Sequence, residues 1–399
     1  MRILYFSSHP NIPLNSKSGP GTHMREIIAG FRAEGHEVQT LIMGGNSEEQ
    51  ESGEQAPTTA SPIKRLGKKL LPTVLWESIK DQRLNRFDAH CAQELRRVCE
   101  TFKADIIYER GYFSMLSGVN TAKELGIFHA LEMNAPYPEE KVQMEGKGLF
   151  HHKAIAAERE QCLKTDLLLV VSSALKRYFI ERTGVAENKV LITPNAVNPK
   201  YLSKILSKEA ARAAFNWSNE DLVFGFVGSI FPYHGVDKLI EAFALLKCEN
   251  KKLLIVGGGE LLPQYKQRVE ELGISNLVVF TGAVPHQHVY NLISAMDIAM
   301  MADSNWYGSP VKIFEYGALG KAVIAPNTEP VLDVMKNMQD GILCKNNIPD
   351  ILSAMSQLQE DEMLRAQLAV SWQEKVLKYH NWRVVSQNII EQIRVLKTT

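Results

Sequence analysis

Two rhythms of apolar and polar positions run through this chain. Short β-rich apolar runs alternate with longer stretches whose apolar residues recur at helical spacing, so strands and helices are predicted to alternate. In the first half the strand runs are RILYF, EVQTLIM, DIIY, HALEM, LLLVV and VLIT. In the second half they are LVFGFVG, KLLIVG, LVVFTG, DIAMM, AVIAP and GILC. Such alternation predicts parallel α/β sheets, and two like sets predict two doubly wound, Rossmann-like domains facing across a cleft. The rhythm breaks near TPNAVNPKYLSK (193–204), where prolines and asparagines interrupt it. Domains are therefore expected at 1–200 and 205–375. The tail NWRVVSQNIIEQIRVL has helical spacing, so 376–399 is expected to close the chain as a helix able to pack back on the first domain.

One stretch departs from the pattern. Residues 44–62, GGNSEEQESGEQAPTTASP, are polar and acidic and predict a mobile loop. It leads into IKRLGKKLL (63–71), where Lys64, Arg65, Lys68 and Lys69 alternate with Ile63, Leu66, Leu70 and Leu71. Two readings fit this segment: a basic amphipathic element resting on an anionic membrane surface, or a solvated helix covering the N-terminal domain.

Composition narrows the partners. The chain has 399 residues, more than one core usually serves, and Lys+Arg and Asp+Glu are equal at 45 each. That balance predicts no nucleic-acid partner. The five cysteines show no C-x-x-C pair, which predicts reduced thiols in a cytoplasmic protein. The first residues enter a strand at once, and no apolar run is long enough to span a bilayer. Attachment at the inner face of the membrane through residues 63–71 stays open.

In open α/β sheets ligands gather beyond the carboxyl ends of strands, at helix N-termini and glycine turns. After the first strand, Gly19-Pro20-Gly21 opens into a helix near Thr22, and its backbone amides suit an anion or a sugar hydroxyl. A plain strand-to-helix turn is the competing reading. In the second half Gly228 ends a strand, and a loop through Ser229 and His234 returns at Gly235. Gly257 to Gly259 form a third glycine turn. The first βαβ unit lacks G-x-G-x-x-G and the chain lacks G-x-x-x-x-G-K-[ST], which disfavours a nicotinamide dehydrogenase and a P-loop enzyme.

The fourth device is NWYGSPVKIFEYGALGKAVIAP (305–326). Ser309 before Pro310 predicts a helix start, with the hydroxyl as cap and the ring at the first position. Amides near Gly308 and Ser309 favour an anion, and Lys312 adds a positive charge within the first turn. Glu315 has two oxygens able to accept from both hydroxyls of a ribose. Phosphate beside ribose describes a nucleotide. An exposed Lys312–Glu315 pair is the competing reading.

Taken together, these stretches resemble a known family. FVGSIFPYHGVDKLIEAF, LLIVGGGE, VVFTGAVPHQHVYNLISAMDIAMM and GSPVKIFEYGALGKAVIAP follow in order and spacing the motifs of GT-B glycosyltransferases of the retaining GT4 family. DIIYERGYFS and LEMNAPYPEE resemble a branch acting on bacterial polysaccharide or lipid-linked glycans.

The resemblance implies transfer of a sugar from a nucleoside diphosphate donor, with retention and no obligatory metal or other cofactor. The acceptor would be a glycan, a lipid-linked or a small-molecule hydroxyl. The E-x7-E motif maps onto Tyr307 and Glu315, so the first acid is replaced. The arginine and lysine that hold the diphosphate fall at Ser229 and His234, so both charges are missing. Lys312 is read as the compensating charge, beside the Gly228 turn, with His234 adding charge below its pKa. TGAVPHQHV matches the nucleobase loop, through backbone around Val284, with His286 and His288 read as surface residues. For the acceptor side the candidates are the Gly19–Gly21 loop with Thr22, and Glu132 and Asn134 at a strand end. A carboxylate there would steady an oxocarbenium ion or take the acceptor's proton; a capping or domain-contact role competes. Glu109 and Arg110 are expected to form an internal ion pair. A sugar-nucleotide epimerase and a non-catalytic sugar binder remain as alternatives.

Overall fold

Each of the twelve short apolar runs forms a strand, since runs apolar on both faces suit a parallel sheet covered on both sides. In the first half they are β1 (Arg2–Ser7), β2 (Glu37–Ile42), β3 (Ile106–Arg110), β4 (Phe128–Met133), β5 (Leu167–Val170) and β6 (Val190–Ile192). In the second half they are β7 (Leu222–Val227), β8 (Lys251–Val256), β9 (Val278–Gly282), β10 (Ile298–Met300), β11 (Ala322–Pro326) and β12 (Ile342–Cys344). The computed structural model describes residues 1–16, 18–46 and 72–398. The segment 63–71, with its membrane expectation, and most of the acidic stretch 44–62 lie outside the described residues.

The chain forms two compact units: Met1–Thr193 with Val385–Thr399, and Pro194–Val384. The first crossing falls within the Pro/Asn-rich stretch, a few residues before the boundary expected at 200. The last helix, Trp382–Thr398, straddles the second crossing, so the break falls inside this helix rather than at 375.

In the first unit six parallel strands run in the order β2-β1-β3-β4-β5-β6. Ile3 of β1 lies opposite Val38 on one side and Ile106 on the other. The chain thus steps to opposite sides of β1, making a switch point between β1 and β3. In the second unit the order is β12-β11-β10-β7-β8-β9, with the switch point between β7 and β10. Phe224 and Phe226 of β7 point into one apolar layer and Val223 and Val227 into the other, as a period of two requires. Both switch points open a crevice at the carboxyl edge of their sheet, where ligands of this architecture bind.

Candidate functional site

Glycine turns crowd the carboxyl edge of the second sheet. Gly228, at φ 142°, follows β7, and Gly257, at φ 134°, follows β8. A Cβ on Gly257 would stand 1.9 Å from the Gly228 carbonyl oxygen, so the two turns can pack together only without side chains. Gly228 N–H donates to Val256 O at 2.9 Å and Gly257 N–H to Gly282 O at 3.0 Å, which ties the three turns into one rim.

Lys312 reaches this rim from the helix Val311–Ala318. Its stem is partly exposed, yet its Nζ is buried and has no hydrogen-bond partner among the described residues. Nζ sits 4.6 Å from the centre of the Phe226 ring and 2.9 Å from where a Cβ on Gly228 would be. Burial pushes the ammonium down to about 7, against a smaller opposing pull from the Glu315 carboxylate. A cation over an aromatic face is only partly repaid for lost water. An anion at this position would supply the missing counter-charge. Glu315, one turn further on, is also buried, so the two residues are not an exposed surface pair.

The mouth of this helix differs from expectation in three ways. Ser309 is not its cap: its Oγ accepts from Asn195 N–H at 3.0 Å and its carbonyl oxygen from Asn195 Nδ2 at 2.6 Å. The cap position falls to Pro310 instead, and Val311 is the first helical residue. The Gly308 amide is not free for an anion, since it donates to Asn305 Oδ1 at 2.7 Å. His234 supplies no charge either. Its Nδ1–H donates to Ser229 O at 2.6 Å, and burial, helped by the nearby Lys312 charge, lowers its pKa to about 4. At neutral pH it is a neutral ring whose orientation is fixed by the Ser229 carbonyl.

Among the other expected donor residues, Ser229 is exposed on the loop after β7, and Val284 is half-buried just before the helix His286–Ser294. Tyr307 is buried, edge-on to Trp306 with ring centres 5.2 Å apart. His288 is exposed. The structure brings Gly228, Ser229, His234 and Lys312 together on one rim, with Glu315 one turn along the same helix.

In the first unit, Glu132 at the end of β4 is the hub of a buried polar network. His23 Nε2 donates to it at 3.0 Å, Tyr108 Oη at 2.7 Å and Arg110 at 2.5 Å, and Asn134 Nδ2 donates as well. Burial alone would raise its pKa, but His23, Arg110 and these hydrogen bonds outweigh it and hold the carboxyl far below the usual range. A carboxylate so fully engaged is a poor proton acceptor; it positions its donors. Asn134 is one of those donors. Thr22 is likewise engaged, its Oγ1 accepting from Arg25 at 3.1 Å. The helix Gly19–Ala33 is capped by Ser18; Gly21 packs so closely that a Cβ would meet Ser16 O at 2.3 Å, whereas Gly19 faces open space.

The expected Glu109–Arg110 pair does not form. Neighbours on a strand point to opposite faces, so Arg110 joins Glu132 while Glu109 accepts from His129 Nε2 at 2.9 Å. Sequence reasoning missed His23, Tyr108 and Arg110 as partners of Glu132. Period two along β3 would have put Tyr108 and Arg110 on one face; His23, 109 residues from Glu132, carried no local signal. His9 was missed as well. Its ring lies tilted against that of Tyr112 with centres 4.1 Å apart, and burial, with Arg110 adding to it, lowers its pKa to about 4.

Residues 207–374 match the family described as Glycosyl transferases group 1, and residues 17–201 match Glycosyltransferase Family 4. An uncharacterized glycosyltransferase of Methanocaldococcus jannaschii is 24% identical over 224 residues, covering 55% of this chain and 56% of that protein. The N,N'-diacetylbacillosaminyl-diphospho-undecaprenol alpha-1,3-N-acetylgalactosaminyltransferase of Campylobacter jejuni is 28% identical over 225 residues, 55% of this chain and 56% of that one. The chain thus matches little more than half the length of these relatives. Among solved structures, HepE of Anabaena in complex with UDP superposes with a TM-score of 0.72 at 16% identity, covering 99% of this chain and 100% of that one. At that identity the likeness shows the fold, GT-B.

Proposed function

Because the chain belongs to the group 1, family 4 glycosyltransferases, we propose that it moves a sugar from a nucleoside diphosphate to an acceptor hydroxyl with retention of anomeric configuration. The observation that carries the donor half is the buried Lys312 ammonium, without a hydrogen-bond partner among the described residues, at the switch point of the second sheet. A diphosphate there gives it the counter-charge it lacks, and the glycine rim lets phosphate oxygens approach the backbone. Glu315 would take the ribose hydroxyls.

In the transfer, the bond from the anomeric carbon to the diphosphate oxygen breaks and a bond to the acceptor oxygen forms on the same face. The acceptor's proton leaves with the departing diphosphate. Charge grows on that diphosphate, and Lys312, already desolvated, stabilises it without reorganising. The Glu132 network would shape the acceptor side by holding His23 and Arg110 in place. The lipid-linked substrate in the name of the Campylobacter relative supports a glycan or lipid-linked acceptor here.

The test is calorimetric titration with UDP, GDP and ADP, followed by proton NMR of the product's anomeric signal. Binding of none of the three nucleotides removes the donor reading, and an inverted product removes retention. Turnover of a donor to an isomer, with no nucleotide released, would select the epimerase instead.

A further inference from the structure

At the switch point of the second sheet, β7 and β10 part before either strand ends. Their pairing runs from Phe224–Ile298 to Gly225–Ala299. Beyond it β7 stays paired with β8 as far as Val227–Val256, and β10 with β11 as far as Met300–Ile324. Successive peptide groups of a strand point to opposite neighbours. Gly228 N–H goes to Val256 O of β8, so Val227 N–H faces the β10 side. Met301 N–H goes to Ile324 O of β11, so the Met300 carbonyl faces the β7 side. Two backbone groups thus look into a gap where the ladder between their strands has stopped. The hydroxyl of Tyr316 fills that gap. It accepts from Val227 N–H at 2.8 Å and turns its own hydrogen toward Met300 O at 3.4 Å. Tyr316 is fully buried, and burial raises its pKa well above the ordinary tyrosine value, so the hydroxyl keeps the proton it donates.

Tyr316 stands on the helix Val311–Ala318, one turn after Lys312. The two side chains grip the same end of β7. The hydroxyl meets Val227, while the ammonium lies over the Phe226 ring and 2.9 Å from where a Cβ on Gly228 would be. The helix is also tied on another side: Trp372 Nε1 donates to Ile313 O at 2.8 Å and Gln373 Nε2 to Ala318 O at 3.1 Å. Those bonds fix it to the helix Glu362–Tyr379, whereas the bond to the strand end runs through Tyr316. We propose that Tyr316 is a positioning residue of the donor crevice: its hydroxyl stands in for the missing strand bond and so sets the Lys312 ammonium against the Gly228 turn. As a claim about donor binding this rests on the transferase reading; as a claim about the seat of Lys312 it does not. Without the hydroxyl, the buried Val227 N–H loses its acceptor and takes water instead. Water admitted beside Phe226 rehydrates the ammonium, and the crevice loses its dry, fixed charge.

The experiment is Tyr316→Phe in the full chain, carrying isotope-labelled lysine so that NMR follows the Lys312 signal through a pH titration; Lys312→Met assigns that signal by its loss. The Lys312 midpoint should climb by about one pH unit or more toward that of an ordinary lysine. UDP should bind about tenfold more weakly or worse, read by calorimetry. Gln373→Ala, which cuts the bond to Ala318 O at the far end of the same helix, should leave both quantities at the wild-type value. The proposal is overturned if Tyr316→Phe melts lower yet keeps the wild-type Lys312 midpoint, as a merely structural tyrosine would. It is also overturned if Gln373→Ala moves the midpoint as far. Should the phenylalanine variant fail to fold, hydrogen exchange of the wild type decides. The Val227 amide should be protected like the other amides of β7, and exchange at the rate of exposed loop amides overturns the proposal. A wild type that binds no UDP counts against the donor reading, and the Lys312 midpoint then decides the positioning by itself.

Discussion

Replacing Lys312 by methionine should make the ligand-free protein more stable and the nucleotide complex weaker. Burial holds this ammonium, ordinarily near 10.5, down at about 7. The folded state therefore binds fewer protons than the unfolded chain between pH 7 and 10.5, and stability rises with pH across that window. At pH 7 the cost of folding with this lysine inside is about 4 kcal/mol, taking about 1.4 kcal/mol per tenfold in proton affinity. Methionine has nearly the same reach, carries no charge and packs well on the Phe226 ring. It should recover much of that cost, about 2–4 kcal/mol, visible as a higher urea midpoint at pH 7. By pH 10 the unfolded chain has begun to release this proton as well, and the advantage should shrink to about 1 kcal/mol or less.

The same variant should lose most of the stabilisation that UDP gives the wild type, because the counter-charge is gone. The decisive assay is urea unfolding at pH 7 and pH 10, with and without UDP. A methionine variant less stable than wild type at pH 7, or a gain that does not shrink with pH, would show that the lysine is well solvated or paired. Unchanged UDP stabilisation would remove it from the donor site.

Donor affinity should fall as pH rises above about 7, because the free site then loses the Lys312 proton that the bound anion needs; calorimetry at pH 6, 7 and 8.5 reads this directly. Gly228→Ala should depress nucleotide binding more than about tenfold, since its Cβ would stand 2.9 Å from Lys312 Nζ at a φ of 142°; equal affinity by titration would remove the rim from the site. Glu315→Ala should weaken UDP and GDP binding by about 1–3 kcal/mol, read by the same titration. Glu132→Gln should destabilise the first unit by about 3 kcal/mol in denaturant unfolding, because it leaves the Arg110 guanidinium buried without its counter-charge. The Glu132 contribution is present above the ordinary carboxylate range and fades as pH drops toward its lowered pKa, so the gap between the two proteins should narrow in acid.

Strands were legible and side-chain pairings were not. Each strand is a local apolar run, and the parallel α/β layering follows from the alternation with helices. The Ser309 hydroxyl was misread because its partner, Asn195, lies 114 residues away, and no local pattern says that a long-range donor will take it from the helix. Glu109 and Arg110 were misread for a simpler reason. Adjacency in sequence was taken for adjacency in space, although strand geometry sends the two side chains to opposite faces. The burial of Glu77 and Asp81 was equally hidden, since it rests on Lys141 seated between the two acids and on Lys80 against Glu77.

The same physics separates two kinds of charged residue at the two switch points. Glu132 is buried and satisfied by four donors, so a ligand has little to offer it, and its value lies in fixing His23 and Arg110. The Lys312 ammonium is buried and, among the described residues, meets only a ring face, so an incoming anion would change its energy by several-fold more than it would change that of a solvated lysine. From sequence the two looked alike, each a charged residue near a strand or helix end. What distinguishes a positioning charge from a binding one is the number of partners already in place. By that measure Lys312, beside Gly228, is left with room for a counter-charge, and Glu132 acts on the donors it already holds.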